Sequence, residues 1–358
     1  MSLDCGIVGL PNVGKSTLFN CLTKTMAAEA ANYPFCTVDP NVGIVNVVDE
    51  KLDKVASISK SLKTVYSQVR IVDIAGLVKG ASRGEGLGNK FLANIRETDA
   101  IIHVVRCFDN DDVTHVEGTV DPVRDIQIIE TELLLSDVER MQELLNKKHA
   151  REFQDRNKLI EFLLPKMNDG VWVNQIKIPE SMVEYLPELH LITAKPIMYL
   201  CNVDDQALIK GGNKYVDAVK AYKPNANILM ICAEIEFELS ALPKEEEKEY
   251  LESYGLKESG INRLAKAAYK LLNLISYFTA GPKESRAWTI HNGDKAPTAA
   301  GKIHTDMQKG FICAEVISYE DFINSNGEQH AKEKGLMRKE GKDYIVKEND
   351  IMLFRFNV

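Results

Sequence analysis

Short apolar runs alternate with polar, helix-forming stretches through the first part of the chain and return near position 200. "CGIVGL" at 5–10, Val69–Val72, the run "IIHVVRCF" at 101–108, Pro196–Cys201 and Ile228–Ala233 read as buried strands. "KSTLFNCLTK" at 15–24 reads as the beginning of a helix. The period changes after Asp121, a plausible N-cap with Pro122 at the first helical position. Leu134, Val138, Met141 and Leu145 then follow at spacings of four, three and four, which is one helix face. A second helical run lies at 155–167 and a third is expected near 179–189, so the segment reads as a helical hairpin inserted before the strand at 196–201. "ESGINRLAKAAYKLLNLISYF", at 258–278, reads as a strong helix. Beyond about Leu274 the chain turns strand-rich, with "RAWTI", "FICAEVI", "DYIVK" and "IMLFRF", which fits a small β-grasp module.

Length and charge narrow this picture. A chain of 358 residues holds two or three domains. Its net charge of -8 excludes a generally basic nucleic-acid binder, so any RNA contact must be local. One local excess exists at the expected tip of the hairpin, where Lys147, Lys148, Arg151, Arg156 and Lys158 outnumber Glu152 and Asp155. That cluster fits a solvated helix end or a contact with RNA phosphates. The charges of the C-terminal module balance and do not mark it as an RNA binder. The seven cysteines are scattered and none forms a CxxC pair, which suits reduced thiols and a cytoplasmic protein. No run of about 18 apolar residues exists, so no membrane partner is expected.

The chemistry starts at "GLPNVGKST". Gly9, Gly14, Lys15 and Ser16 complete the pattern G-x-x-x-x-G-K-[ST] between a strand and a helix. Glycines let the backbone turn its N–H groups toward phosphate oxygens, and the helix start adds partial positive charge. Asn12, Val13, Gly14, Lys15, Ser16 and Thr17 are therefore candidate nucleotide-binding residues, with the Lys15 ammonium at the β and γ phosphates. The Ser16 hydroxyl is a candidate Mg²⁺ ligand, joined by Thr37 from the loop 32–43 and by Asp73 through water. Asp73 and Gly76 form D-x-x-G, in which the Gly76 N–H can meet the γ-phosphate; a glycine-rich loop follows. Asn202 and Val203 stand where guanine-binding proteins carry N-K-x-D, and Asn202 can meet an adenine amino group or brace the loop. His103 and Arg106 sit in or at the end of an apolar strand and read as core residues.

Several long stretches carry a resemblance. "NYPFCTVDPNVG", "DIAGLVKGASRGEGLGNKFLANIRETDAIIHVVRCF", "YFTAGPKESRAWTI" and "HTDMQKGFICAEVI" resemble the YchF, or Obg-like ATPase, family of Obg-related P-loop NTPases, essentially from Cys5 to Val358. The resemblance implies an α/β P-loop NTPase (G-protein-like) domain with a helical coiled-coil insertion and a C-terminal β-grasp (TGS) domain. The expected boundaries are 1–125 with 191–273, then 126–190, then 274–358. It also implies a Mg²⁺-dependent hydrolase that prefers ATP and associates with the ribosome or its RNA. A monomer without DNA specificity is expected. Leu77 follows Gly76 where Ras-like proteins place the water-orienting glutamine, and leucine cannot hydrogen-bond. The resemblance points instead to His115, in "NDDVTHVEG", as a catalytic group beside Lys15; the residues alone equally allow a surface histidine. Asp205 departs from the family's usual glutamate and could restore a guanine contact, so ATP is favoured with GTP as the alternative substrate. A nucleotide-gated RNA or ribosome binder whose hydrolysis is incidental is a further alternative. Asn12 is a possible potassium ligand by analogy only.

Overall fold

The computed structural model describes residues 3–30, 41–74, 87–110, 114–146 and 153–357. The chain divides into two compact units, residues 1–44 with 70–264 and residues 45–69 with 265–358. Its strands are β1 (Asp4–Val8), β2 (Val42–Val47), β3 (Thr64–Val65), β4 (Ser67–Asp73), β5 (Ala100–Arg106), β6 (Ile197–Asn202), β7 (Asn227–Ile231), β8 (Leu274–Thr279), β9 (Ser285–His291), β10 (Phe311–Ile317), β11 (Arg338–Glu340) and β12 (Ile351–Phe356). The helices used below are α1 (Lys15–Ala30), α2 (Glu50–Ser59), α3 (Leu87–Glu97), α4 (Pro122–Asn146) and α5 (Gln154–Asn168).

The first sheet runs β2-β4-β1-β5-β6-β7. β1 pairs in parallel with β4 and β5, and β6 with β5 and β7. All seven residues of β5 are buried, as a parallel strand covered on both faces requires. Phosphate-binding loops lie at the carboxyl ends of such strands, which is where β1 delivers the chain into α1.

α4 opens as its sequence predicts. Asp121 Oδ1 accepts the N–H groups of Val123 and Arg124, both at 3.1 Å, and Pro122 is the first helical residue. Leu134, Val138 and Met141 are buried and Leu145 is half-buried. Midway along α4, the buried Asp137 accepts Arg96 Nη1 at 2.7 Å and the N–H groups of Ile192 and Thr193 at 3.1 and 2.8 Å. This network anchors the arm to the chain entering β6. The third expected helix is instead two single turns, Glu180–Val183 and Leu186–Leu189, with Pro187 the second residue of the latter.

The second sheet runs β11-β10-β12-β8-β9-β3. β8 and β12 are parallel neighbours at its centre, each carrying antiparallel partners outward, β9 on one side and β10 then β11 on the other. The helix Ala296–Ile303 buries Ala296, Ala299 and Ala300 against Tyr277, Ile290 and Val316. This is the β-grasp arrangement. Two local expectations change. The helix expected to run to 278 ends at Leu271; Asn273 takes a left-handed φ of 53°, and the β-branched and aromatic run "LISYFT" enters the sheet as β8. "DYIVK" is not a strand, because only Ile345 bridges to Lys295. Segment 45–69 belongs with this unit. α2 places Leu52 and Val55 against Phe278, Ala287 and Phe322.

Among the described residues, no helix is long and apolar enough to cross a membrane.

Candidate nucleotide site

The turn from β1 to α1 is shaped by close approaches that only glycine permits. A Cβ on Gly9 would lie 2.5 Å from the Val104 carbonyl oxygen. Gly14 has φ +97°, and a Cβ there would lie 2.3 Å from Asn202 Nδ2. Asn12 also takes a left-handed φ, 61°, and its Nδ2 donates to Thr114 O at 3.2 Å. Lys15 Nζ donates to Gly9 O at 2.8 Å and to Leu10 O. Burial pushes the Lys15 pKa down to about 8, opposed by the nearby Asp73 carboxylate. Ser16 and Thr17 are exposed at the start of a 16-residue helix whose first N–H groups are free to meet an anion. These residues form the phosphate end of a cleft of about 920 Å³, large enough for a nucleoside triphosphate.

The other end of the cleft is lined by Val203, Asp204, Ala233, Glu234 and Phe237. Asn202 is buried and its amide is used internally. Nδ2 donates to Val13 O at 3.0 Å, and Oδ1 accepts the Ala233 N–H at 3.1 Å. These two bonds brace the phosphate loop against the start of the helix Ala233–Leu239. Asp204 caps the helix Asp205–Lys210 by accepting the Ala207 N–H at 2.7 Å. Asp205 is the first residue of that helix; it is exposed, does not line the cleft, and accepts the N–H of Gln206 at 2.7 Å. Phe108 and Phe237 line the cleft, and sequence reasoning does not find them. Their signal is weak, an aromatic just beyond a strand and an aromatic in a helix. Lys24 Nζ lies 4.2 Å from the Phe237 ring centre.

The core readings of the strand β5 polar residues hold in different ways. Arg106 is buried and donates to Phe108 O and Asn110 O at 3.2 and 3.1 Å. His103 is buried beside Tyr199, and burial pushes its pKa down to about 3, so it is neutral; its Nδ1 has no hydrogen-bond partner among the described residues.

Asp73 ends β4, and burial raises its pKa while Lys15 lowers it. Thr37, Gly76 and Leu77 lie outside the described residues. Among those described, no group of three or more His, Cys, Asp or Glu gathers to hold a metal. Of the candidate Mg²⁺ donors, the described ones are the Ser16 hydroxyl and the Asp73 carboxylate. That set suits Mg²⁺, a hard cation that keeps part of its water shell. His115 does not line the cleft. It is buried; its Nε2 lies 2.8 Å from Asp125 Oδ2, and its Nδ1 accepts the Glu117 N–H at 3.1 Å. The structure thus gathers Asn12, Gly14, Lys15, Ser16, Thr17, Asn202 and Val203 around one cleft, whereas Val13 and His115 are buried and do not line it.

The chain is similar to known proteins along its whole length. A family model described as "50S ribosome-binding GTPase" matches residues 4–160. The YchF GTPase C-terminal model, described as "Protein of unknown function (DUF933)", matches residues 274–357. The "Ribosome-binding ATPase YchF" of Haemophilus influenzae is 50% identical, with 100% of each chain covered. Its counterpart in Bacillus subtilis is 48% identical with the same coverage. The solved YchF GTPase of Schizosaccharomyces pombe is similar with a TM-score of 0.88 at 36% identity, covering 99% of this chain and 98% of that one.

Proposed function

Because the chain belongs to the YchF family, we propose that it is an ATP-hydrolysing switch that associates with the ribosome. The observation that carries this reading is the Gly14–Thr17 turn, with a buried ammonium and a helix start facing a nucleotide-sized cleft. In this reading the loop N–H groups and Lys15 neutralise the triphosphate. Ser16, Thr37 and, through water, Asp73 would hold Mg²⁺, which shares that charge. Asn202 keeps the phosphate loop at its distance from the base side. Val203, apolar where guanine-binding proteins carry lysine, leaves the base without the long stem that covers guanine.

Adenine is the favoured base. Asp205, the carboxylate at the aspartate position of N-K-x-D, does not line the cleft. GTP is the second reading, and the Schizosaccharomyces pombe relative, a GTPase by name, supports it. Equilibrium competition with a fluorescent nucleotide, in the presence of Mg²⁺, separates the two. Tighter binding of ATP is expected, and equal or tighter binding of GTP overturns the choice.

His115 is proposed to orient the attacking water, since leucine at position 77 cannot. The ribosome that the relatives bind by name supports the cytoplasm as the place of action. The inserted arm and the β-grasp unit are then the surfaces that dock. Phosphate release measured with and without ribosomes tests this. No acceleration, together with unchanged function in a hydrolysis-dead variant, favours a binder whose hydrolysis is incidental.

A further inference from the structure

We propose that Asp125 is a positioning residue that withholds His115 from the nucleotide. Hydrolysis then requires the contact between them to open. The inference rests on the reading of His115 as the water-orienting group and deepens it.

The hydrogen bonds determine the state of the ring. A backbone N–H can only donate, so the Glu117 N–H at 3.1 Å makes His115 Nδ1 an acceptor. The proton of the neutral imidazole is then on Nε2, where it donates to Asp125 Oδ2 at 2.8 Å. Both nitrogens are used. In this pose the ring has neither a lone pair nor a proton left for a water molecule. It is also buried, 6% exposed, and absent from the lining of the cleft.

The backbone behaves differently from the ring. Thr114, the preceding residue, has its carbonyl held by Asn12 Nδ2 of the phosphate loop at 3.2 Å. The main chain next to His115 is thus tied to the phosphate loop, while the imidazole is bonded to Asp125 and does not line the cleft. The holding group is well placed to be strong. Asp125 lies in the first turn of the 25-residue helix α4, where the helix dipole favours a carboxylate. Its other oxygen accepts Arg124 Nη2 at 3.3 Å. Asp125 is itself 2% exposed, so the bond to His115 is shielded from water.

The test is single-turnover and steady-state ATP hydrolysis by the full chain. It compares the parent, D125N, D125A, H115A and the double variant H115A/D125A. D125A is expected to raise kcat on the order of tenfold, the scale of one charge-assisted hydrogen bond, with KM for ATP changed less than about twofold. D125N is expected to raise kcat less, because its amide oxygen still accepts from Nε2. The double variant should fall to the H115A rate, which shows that the gain passes through the imidazole. Should D125A fail to fold by thermal melting, the isosteric D125N carries the test. A kcat at or below the parent's in a folded Asp125 variant, with H115A slow, overturns the latch alone and makes Asp125 an orienting partner or a structural residue. Parent-like hydrolysis by H115A overturns the catalytic reading of His115 and the latch with it.

Discussion

The two ends of the cleft are built on different principles. At the phosphate end the working groups are backbone N–H groups, and the residues that matter are those permitting an unusual backbone. Gly9 and Gly14 are there because a Cβ would run into Val104 O and Asn202 Nδ2. At the base end the working groups are side chains, and a side chain can serve other masters. Asn202 commits both ends of its amide to Val13 and Ala233, and Asp204 commits its carboxylate to a helix cap. The lesson is that a motif written in backbone geometry transfers its function with its letters. A motif written in side-chain hydrogen bonds transfers only its position.

Substitutions along the cleft can sharpen or break that contrast. The largest effect should come from Lys15→Ala, which removes the ammonium held at the loop carbonyls. Equilibrium binding should show ATP and GTP affinity both reduced roughly a hundredfold or more. Retention of parent-like affinity would leave the phosphate end without its main cation. Gly14→Ala comes next, since it combines a φ of +97° with a Cβ contact of 2.3 Å. A loss of about 1–3 kcal/mol in stability is expected, seen by denaturant unfolding, with weakened binding of either nucleotide. Asn202→Ala should cost about 1–3 kcal/mol by leaving Val13 O or Ala233 N–H unpaired. Its diagnostic is the ratio of ATP to GTP affinity. An unchanged ratio supports a brace, and a shift beyond about threefold, near 0.65 kcal/mol, makes Asn202 a base reader and breaks the contrast. The smallest effect belongs to Asp205→Ala. Because Asp205 faces outward at the start of its helix, the ATP to GTP ratio should move less than about twofold.

Legibility follows the same division. β1, β5 and β6 are readable because an apolar strand buried on both faces leaves few other options, and β4 and β7 are readable as apolar runs though they are less completely buried. Asp121 and Pro122 announce the start of α4 through cap chemistry acting within four residues. Where the outcome depends on a distant partner, reading fails. "LISYFT" carries on a helical pattern yet becomes β8, because Tyr277 and Phe278 are claimed by sheet neighbours and cores far along the chain. α2 gives little signal because its apolar face of Leu52, Val55 and Ala56 is short, and its partners Phe278, Ala287 and Phe322 lie more than two hundred residues away. The third arm helix is shorter than expected for a local reason instead, the interruption at Pro187.

His115 marks the boundary within the site itself. Its residue type and neighbours are equally compatible with surface or catalytic roles, and the buried ring beside Asp125 is not a surface histidine. The spacing of glycines, lysine and serine is enough to specify a phosphate turn, because backbone torsions and helix dipoles act over a few residues whatever surrounds them. Which polar side chains remain available to a ligand is settled only by the fold. A buried donor or acceptor must find a partner, and that partner can come from anywhere in the chain.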